Sequence, residues 1–377
     1  MKQYANYLRV LAKPLAVGCV ILLYSNPSAK AAVPAKPPRS VMLAQVAVKR
    51  GILYLKRVQE TDGSWSHYPA TTALALIALQ RNGYSAHKDT AVRRGIRYLL
   101  KWQQRNGSIC NPADPNTALP NYNTALSLMA LALTHDVAYK PVIARGQKYL
   151  ENLQFGAVDG MAKTNPLYGG IGYGSDPDDH PDVSNLATAL EALKQTGVPS
   201  QAPVFQRAII FLQRVQNRTD SNDQAWAKSG PNDGGFTYDP YGTSKTVTGG
   251  HRSMGAMTYQ GMESYIYCGL SRNDPRVAAA WHWIRGDYTV THHPGEGNTA
   301  LYYYYNAMAK TLAVYGQRTV TDTHGVKHNW EADLELQLSR LQHPDGSWFN
   351  SNPRYWENQP SLVTSYTLIA LSYCLHP

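Results

Sequence analysis

Phenylalanine is scarce in this 377-residue chain, five copies against 26 tyrosines, and cysteine is scarcer still, with four. No two cysteines form a CxxC pair, which leaves out zinc-ribbon and thioredoxin-type chemistry. No apolar run approaches the ~20 residues a membrane helix needs, so the chain is not expected to be an integral membrane protein. Basic residues exceed acidic ones by 10, but they form no block and match no reading motif. A nucleic-acid partner is therefore not expected. A scattered basic excess suits solubility and mild attraction to an anionic envelope or membrane surface.

The N-terminus is laid out like a cleaved export signal. Lys2, Arg9 and Lys13 make a basic start, Leu15 to Tyr24 a short apolar run, and Ala29-Lys30-Ala31 a small-x-small cleavage site. Cys19 falls inside the apolar run instead of closing it, which speaks against lipid attachment there. We therefore expect a signal peptide over 1–31, a Pro-rich linker over 32–40 and one domain over 41–377, secreted or periplasmic. Loss of Lys2, Arg9, Lys13 and Lys30 would lower the formal charge from +10 to +6. Cys110, Cys268 and Cys374 would remain, enough for one disulfide and a thiol, or for three buried thiols.

Internal repetition is the strongest signal. A small residue, an aromatic three positions on, an aliphatic next to it and a Gln four further recur as Gly51, Tyr54, Leu55, Gln59 and as Gly95, Tyr98, Leu99, Gln103. The phrase returns as Gly146, Tyr149, Leu150, Gln154 and as Ala208, Phe211, Leu212, Gln216. A worn fifth copy reads Ala280, Trp283, Ile284, Tyr288, and a sixth keeps Leu334, Leu338 and Gln342. Spacings of three, four and seven put these residues on one helix face. Each phrase is followed by a Gly-containing turn and a second, Ala-rich helix, as in Thr72–Leu79, Thr124–Leu131, Leu186–Leu193, Met257–Gly269, Thr299–Leu312 and Thr364–Leu371. Apolar residues nearly all round these helices predict burial on both sides. The first and last copies are the best preserved, which favours a ring closed first against last over an open array with polar caps.

Those end copies carry a family likeness. Gln59-Glu60-Thr61-Asp62-Gly63-Ser64-Trp65 and Gln342-His343-Pro344-Asp345-Gly346-Ser347-Trp348 resemble the QW repeats of squalene and oxidosqualene cyclases. Protein prenyltransferases belong to the same superfamily. The resemblance implies an all-α (α/α)6 toroid of six helix-pair repeats, with parallel inner helices around an apolar cavity. Asp-Gly suits the tight turn, and the Gln amide and the Trp are expected to tie repeat to repeat. Their first role is structural.

The resemblance also raises the question of chemistry. Class II terpene cyclases protonate an alkene or epoxide with the middle Asp of a D-x-D-D-T-A motif, an acid kept protonated by burial and neighbouring carboxylates. In register, Asp182-Val183-Ser184-Asn185-Leu186-Ala187 keeps the first Asp but puts Ser184 at the donor position, and a serine hydroxyl does not protonate an alkene. Asp182 or Ser184 then reads as a helix N-cap. The literal Asp176-Pro177-Asp178-Asp179 lies six residues earlier in a loop, and the cluster makes Asp178, Asp179 and Asp182 the candidate acids. The prenyltransferase zinc site needs Asp-x-Cys, which is absent, so no metal and no cofactor are expected. Tyr259, Tyr303, His251, Trp356 and Glu357 are the candidate ligand contacts, because the Tyr-rich second helices and the loops before them would meet at one cavity mouth.

The function expected is binding or transformation of an isoprenoid-like apolar substrate in the cavity, by cyclase-type acid chemistry if the chain is an enzyme. Two other readings stand beside it. One is a non-catalytic scaffold or binding module of the cell envelope. The other is a carbohydrate-active (α/α)6 enzyme with paired carboxylates in an aromatic cleft. A complement-type thioester domain would need Gly-Cys-Gly-Glu-Gln, which does not occur.

Overall fold

The computed structural model describes residues 38–113, 119–174, 180–242, 246–247 and 249–376. Asp176, Asp178 and Asp179, the export segment and most of the linker lie outside them. Among the described residues twelve α-helices follow one another: α1 (Arg39–Arg57), α2 (Pro69–Arg81), α3 (Thr90–Lys101), α4 (Pro120–Ala132), α5 (Lys140–Asn152), α6 (Val183–Gln195), α7 (Pro203–Arg214), α8 (Gly255–Tyr267), α9 (Pro275–Gly286), α10 (Leu301–Tyr315), α11 (Trp330–Leu341) and α12 (Pro360–Leu375). α1 begins inside the stretch read as linker. A short antiparallel hairpin, β1 (Thr319–Thr321) with β2 (Lys327–Asn329), precedes α11 and was not anticipated.

Burial sorts the helices into two layers. α3 buries Val92, Gly95, Ile96, Tyr98 and Leu99, one stripe at helical spacing, and turns the rest to solvent. α2 is buried without a break from Pro69 to Leu79. The even-numbered helices are the inner layer: α2, α4, α6, α8, α10 and α12 pack each on the next, and α12 packs back on α2. Pro at the start of α2, α4 and α12 presets the first helical turn where an N–H would have no intrahelical partner.

The recurring phrases are the joints of this ring. Gly63 has φ of 93°, and a Cβ there would stand 2.6 Å from the Arg94 carbonyl oxygen of α3. Gly107, Gly169 and Gly234 sit in the same way on the carbonyls of Arg145, Arg207 and Ala279, in α5, α7 and α9. Gly346 sits on Arg50 of α1, at 2.7 Å, which closes last repeat on first. The Gln amide ties its own turn to the next outer helix. Gln59 Nε2 donates to Gly63 O and Ala91 O, and Gln342 Nε2 to Gly346 O and Ala47 O. Gln154 and Gln216 repeat the bridge to Val204 and Arg276. In the worn copy Tyr288 reaches α11 instead, through Asp333 at 2.8 Å. Trp65 and Trp348 are fully buried and donate to Leu55 O and Leu338 O, each at 2.8 Å.

Candidate functional site

A second set of joints decides which side chains line the hollow. The backbone N–H of Trp65, Ile109, Phe236 and Trp348 each donates to a threonine Oγ1 of the following inner helix, Thr72, Thr124, Thr258 and Thr364. These threonines face the outer layer. Residues two positions away lie ~200° round the helix and so face the ring interior. Among residues at those positions are Ala70, Tyr122, Ala256, Leu362 and Tyr366, all wall residues of a central cavity of about 430 Å³. Leu74, Leu126 and Gln260, on the later side, line a smaller space of about 30 Å³ beneath it. The inner helices therefore run parallel, with their N-termini at the larger cavity.

The mouth is built from helix starts and strained loops. α6 is capped by Asp182, whose Oδ1 accepts the Asn185 N–H and whose Oδ2 accepts the Asn185 side-chain amide, both at 2.8 Å. α8 and α10 have no cap of their own and borrow one. His293 Nε2 accepts the Ala256 N–H at 2.9 Å, so the ring carries its proton on Nδ1, which donates to Thr299 O. Burial holds His293 neutral, with its pKa lowered to about 4. Glu357 Oε1 accepts the Tyr303 N–H at 2.8 Å, and Oε2 takes the Asn350 amide. Burial pushes the Glu357 carboxyl up, while Asn350 and the amides opening α10 pull it down. Glu296, also in the wall, accepts the Val247 N–H at 2.9 Å. Ser66, His67, Leu119, Ala300, Tyr355 and Trp356 all have positive φ and all lie in the loops that lead into inner helices. Such strain, about 1–3 kcal/mol per residue, gathers where surrounding structure enforces it, as at ligand sites.

At the deep end, polar groups of five inner helices meet. Tyr122 of α4 and Tyr366 of α12 join hydroxyls at 2.8 Å. Ser184 of α6 joins Tyr303 of α10 at 2.8 Å, and Gln260 of α8 donates to the same Tyr303 hydroxyl at 2.7 Å. Burial pushes all three tyrosine pKa values up, so they stay protonated. Below this belt Lys310 pairs with Glu191, with Glu263 close by. Burial works against the Lys310 ammonium, but Glu191 and Glu263 outweigh it and keep the charge. Burial, partly offset by Lys310, lifts Glu263 to about 7.

Of the residues singled out in the sequence, Tyr303, Trp356 and Glu357 line the cavity. Trp356 stands at its rim against Tyr68, ring centroids 5.6 Å apart. Tyr259 does not line it. Tyr259 packs against Tyr304 and its carbonyl accepts from Thr311, between α8 and α10. His251 is also off the wall, stacked at 3.8 Å on Trp226 and donating to Pro240 O. Asp182 stands behind the wall and holds Asn185, which is part of it. Asp178 and Asp179 fall outside the described residues. Sequence reading missed Tyr122, Tyr366, His293 and Glu296. The threonine register would have found the two tyrosines, whereas the capping roles of His293 and Glu357 carry no local signal. Cys110, Cys268 and Cys374 are three buried free thiols. Among the described residues no group of three His, Cys, Asp or Glu could hold a metal, and no helix is long and apolar enough to cross a membrane.

Comparison with known proteins bears on the ring. No family model matches the chain. Over 138 residues it is 32% identical to a probable squalene–hopene cyclase of Sinorhizobium fredii, covering 30% of this chain and 21% of that enzyme. Over 83 residues it is 36% identical to the drimenyl diphosphate synthase of Streptantibioticus cattleyicolor, covering 20% of this chain and 15% of that one. The matches thus span about a fifth or less of these relatives' lengths. Among solved structures, a variant of the type II terpene cyclase MstE from Scytonema, in complex with geranylgeranyl dihydroxybenzoate, superposes with a TM-score of 0.55 at 12% identity, over 89% of this chain and 98% of that one. The chain shares the α/α toroid fold of this cyclase. A glycosidase shares the ring as well, with a TM-score of 0.51 at 12% identity over 91% of the toroid chain and 100% of its own.

Proposed function

We propose that the toroid binds an isoprenoid-like apolar molecule in its central cavity, outside the cytoplasm. The observation that carries this is the cavity itself: about 430 Å³, open at the helix N-termini and walled chiefly by tyrosine rings, methionine, alanine and leucine. That volume falls in the usual range for small-molecule sites. No side chain of the described residues plugs it, which speaks against the scaffold reading. Aromatic faces around an apolar hollow are also what a polyene chain packs against. The Scytonema cyclase, of like fold, holds a geranylgeranyl compound. The extracytoplasmic setting is supported by the basic, apolar, small-x-small layout of residues 1–31.

Binding without cyclisation is the form of the proposal that the site favours. Ser184 occupies the donor position of the cyclase motif and is hydrogen-bonded to Tyr303. Asp182 directs both oxygens at N–H donors of Asn185, so its carboxyl serves the start of α6. A carbohydrate-processing alternative draws on Glu296 and Glu357, two buried carboxylates on one wall. Both are engaged by N–H groups, and the surrounding wall is apolar.

Two measurements test the reading. Organic extraction of the purified protein followed by mass spectrometry should release an isoprenoid, and titration with geranylgeraniol should quench tryptophan fluorescence through Trp356 and raise the melting temperature. An empty extract together with no thermal shift would sink the proposal, and a shift with oligosaccharides alone would hand the site to the carbohydrate reading. Formation of a cyclised product, lost on Asp182→Asn or Asp179→Asn, would turn a binder into a cyclase.

A further inference from the structure

The belt at the base of the cavity has more hydrogen-bonding capacity than it uses. A hydroxyl carries one donor hydrogen. Tyr122 and Tyr366 face each other at 2.8 Å, so one hydrogen lies between them and the other remains uncommitted. The same holds for Ser184 and Tyr303 at 2.8 Å, because Tyr303 already accepts from Gln260. Tyr122, Tyr303, Tyr366 and Ser184 are all wall residues of the cavity. Gln260 is buried, and its Oε1 has no partner in the protein. The belt's hydroxyls therefore present two uncommitted hydrogens, with their oxygen lone pairs, to the cavity, and the unpartnered Gln260 oxygen lies just beneath, where unpaired polar atoms are costly.

We infer that the belt seats the polar end of the ligand, and that this end is a hydroxyl: the toroid takes an isoprenoid alcohol, oxygen first, with the hydrocarbon body toward Trp356 and Tyr68. This rests on the isoprenoid reading above and adds to it the ligand's functional group and direction. A hydroxyl both accepts and donates, which matches the belt. A plain hydrocarbon leaves every one of these groups unpaired. The charged layer beneath, Lys310 with Glu191 and Glu263, is internally compensated and needs no ionic ligand.

The test compares geranylgeraniol with the C20 hydrocarbon of the same skeleton, each titrated by tryptophan fluorescence against the full chain. The alcohol should bind roughly ten-fold tighter or more. A single Tyr366→Phe or Tyr122→Phe change should cost little of that preference, because the remaining hydroxyl keeps its own hydrogen. The double changes Tyr122→Phe with Tyr366→Phe, and Ser184→Ala with Tyr303→Phe, remove a donor outright, and several-fold loss of preference in either supports the inference. The rings stay in place in the tyrosine pair, and an unaltered circular dichroism spectrum confirms the fold. Equal binding of alcohol and hydrocarbon by the unaltered chain overturns the belt while leaving isoprenoid binding intact. Full preference retained in both double variants also overturns it. Failure of both probes to bind removes the isoprenoid reading itself.

Discussion

At the scale of single residues, Asp182 keeps a letter of the cyclase motif and does another job. It caps α6 twice over, through the backbone and the side chain of Asn185. Asp182→Ala should therefore lower stability by about 2 kcal/mol, from the lost cap and the stranded buried amide. Asp182→Asn, itself a good cap, should lose distinctly less. Urea denaturation of both variants checks this, and equal stability of the alanine variant and the parent would remove the capping role. This role could be read from sequence because the cap and its helix are adjacent. Glu357 capping α10 could not, since it reaches a residue 54 positions away.

At the scale of elements, three inner helices that read as plain buried segments carry a charged layer. Glu191 of α6, Glu263 of α8 and Lys310 of α10 meet beneath the belt, with Tyr267 donating to Glu263 at 2.9 Å. Glu263 has a folded-state pKa raised from 4.5 to about 7. Between those values the folded chain holds a proton that the unfolded chain releases, so this group's contribution to stability falls as pH rises through the window. His293 acts in the opposite sense. Its pKa is lowered from 6.5 to about 4, so its contribution is complete above 6.5 and lost as pH falls toward 4. The two partly cancel in the parent protein. Comparing Glu263→Gln with the parent isolates the carboxylate: the variant's stability relative to the parent should rise from pH 4.5 to 7 and level off above, by on the order of 3 kcal/mol at most. Melting curves across pH measure it, and a gap independent of pH would show that Glu263 titrates normally.

At the scale of the whole molecule, closure is the property everything else depends on. If the ring is shut, the joint between last and first repeat resembles an internal one. Gly346 and Gly63 have φ of 94° and 93°, and a Cβ at either would press on a carbonyl of the neighbouring outer helix. Gly346→Ala and Gly63→Ala should thus destabilise alike, by about 2 kcal/mol or more each. An open array would show Gly346→Ala as much the milder change. Denaturant midpoints decide between them.

Periodicity and the six phrases were enough to assign six helix pairs and to favour ends that meet, while the toroid of inner and outer helices was implied by the resemblance of the Asp-Gly-Ser-Trp turns to cyclase repeats. Local chemistry repeated at a fixed spacing carries that information, because each joint uses residues close in sequence to the helices it ties. The site was only partly visible in the same way. Tyr303, Trp356 and Glu357 were anticipated at the cavity, but Tyr259 and His251, alike in sequence, were turned away from it. Which face of an inner helix looks into the hollow depends on where its threonine is held by the preceding turn, and which carboxylate caps which helix depends on loops brought together across the ring. Those contacts join residues far apart in the chain, so only the closed tertiary structure decides them.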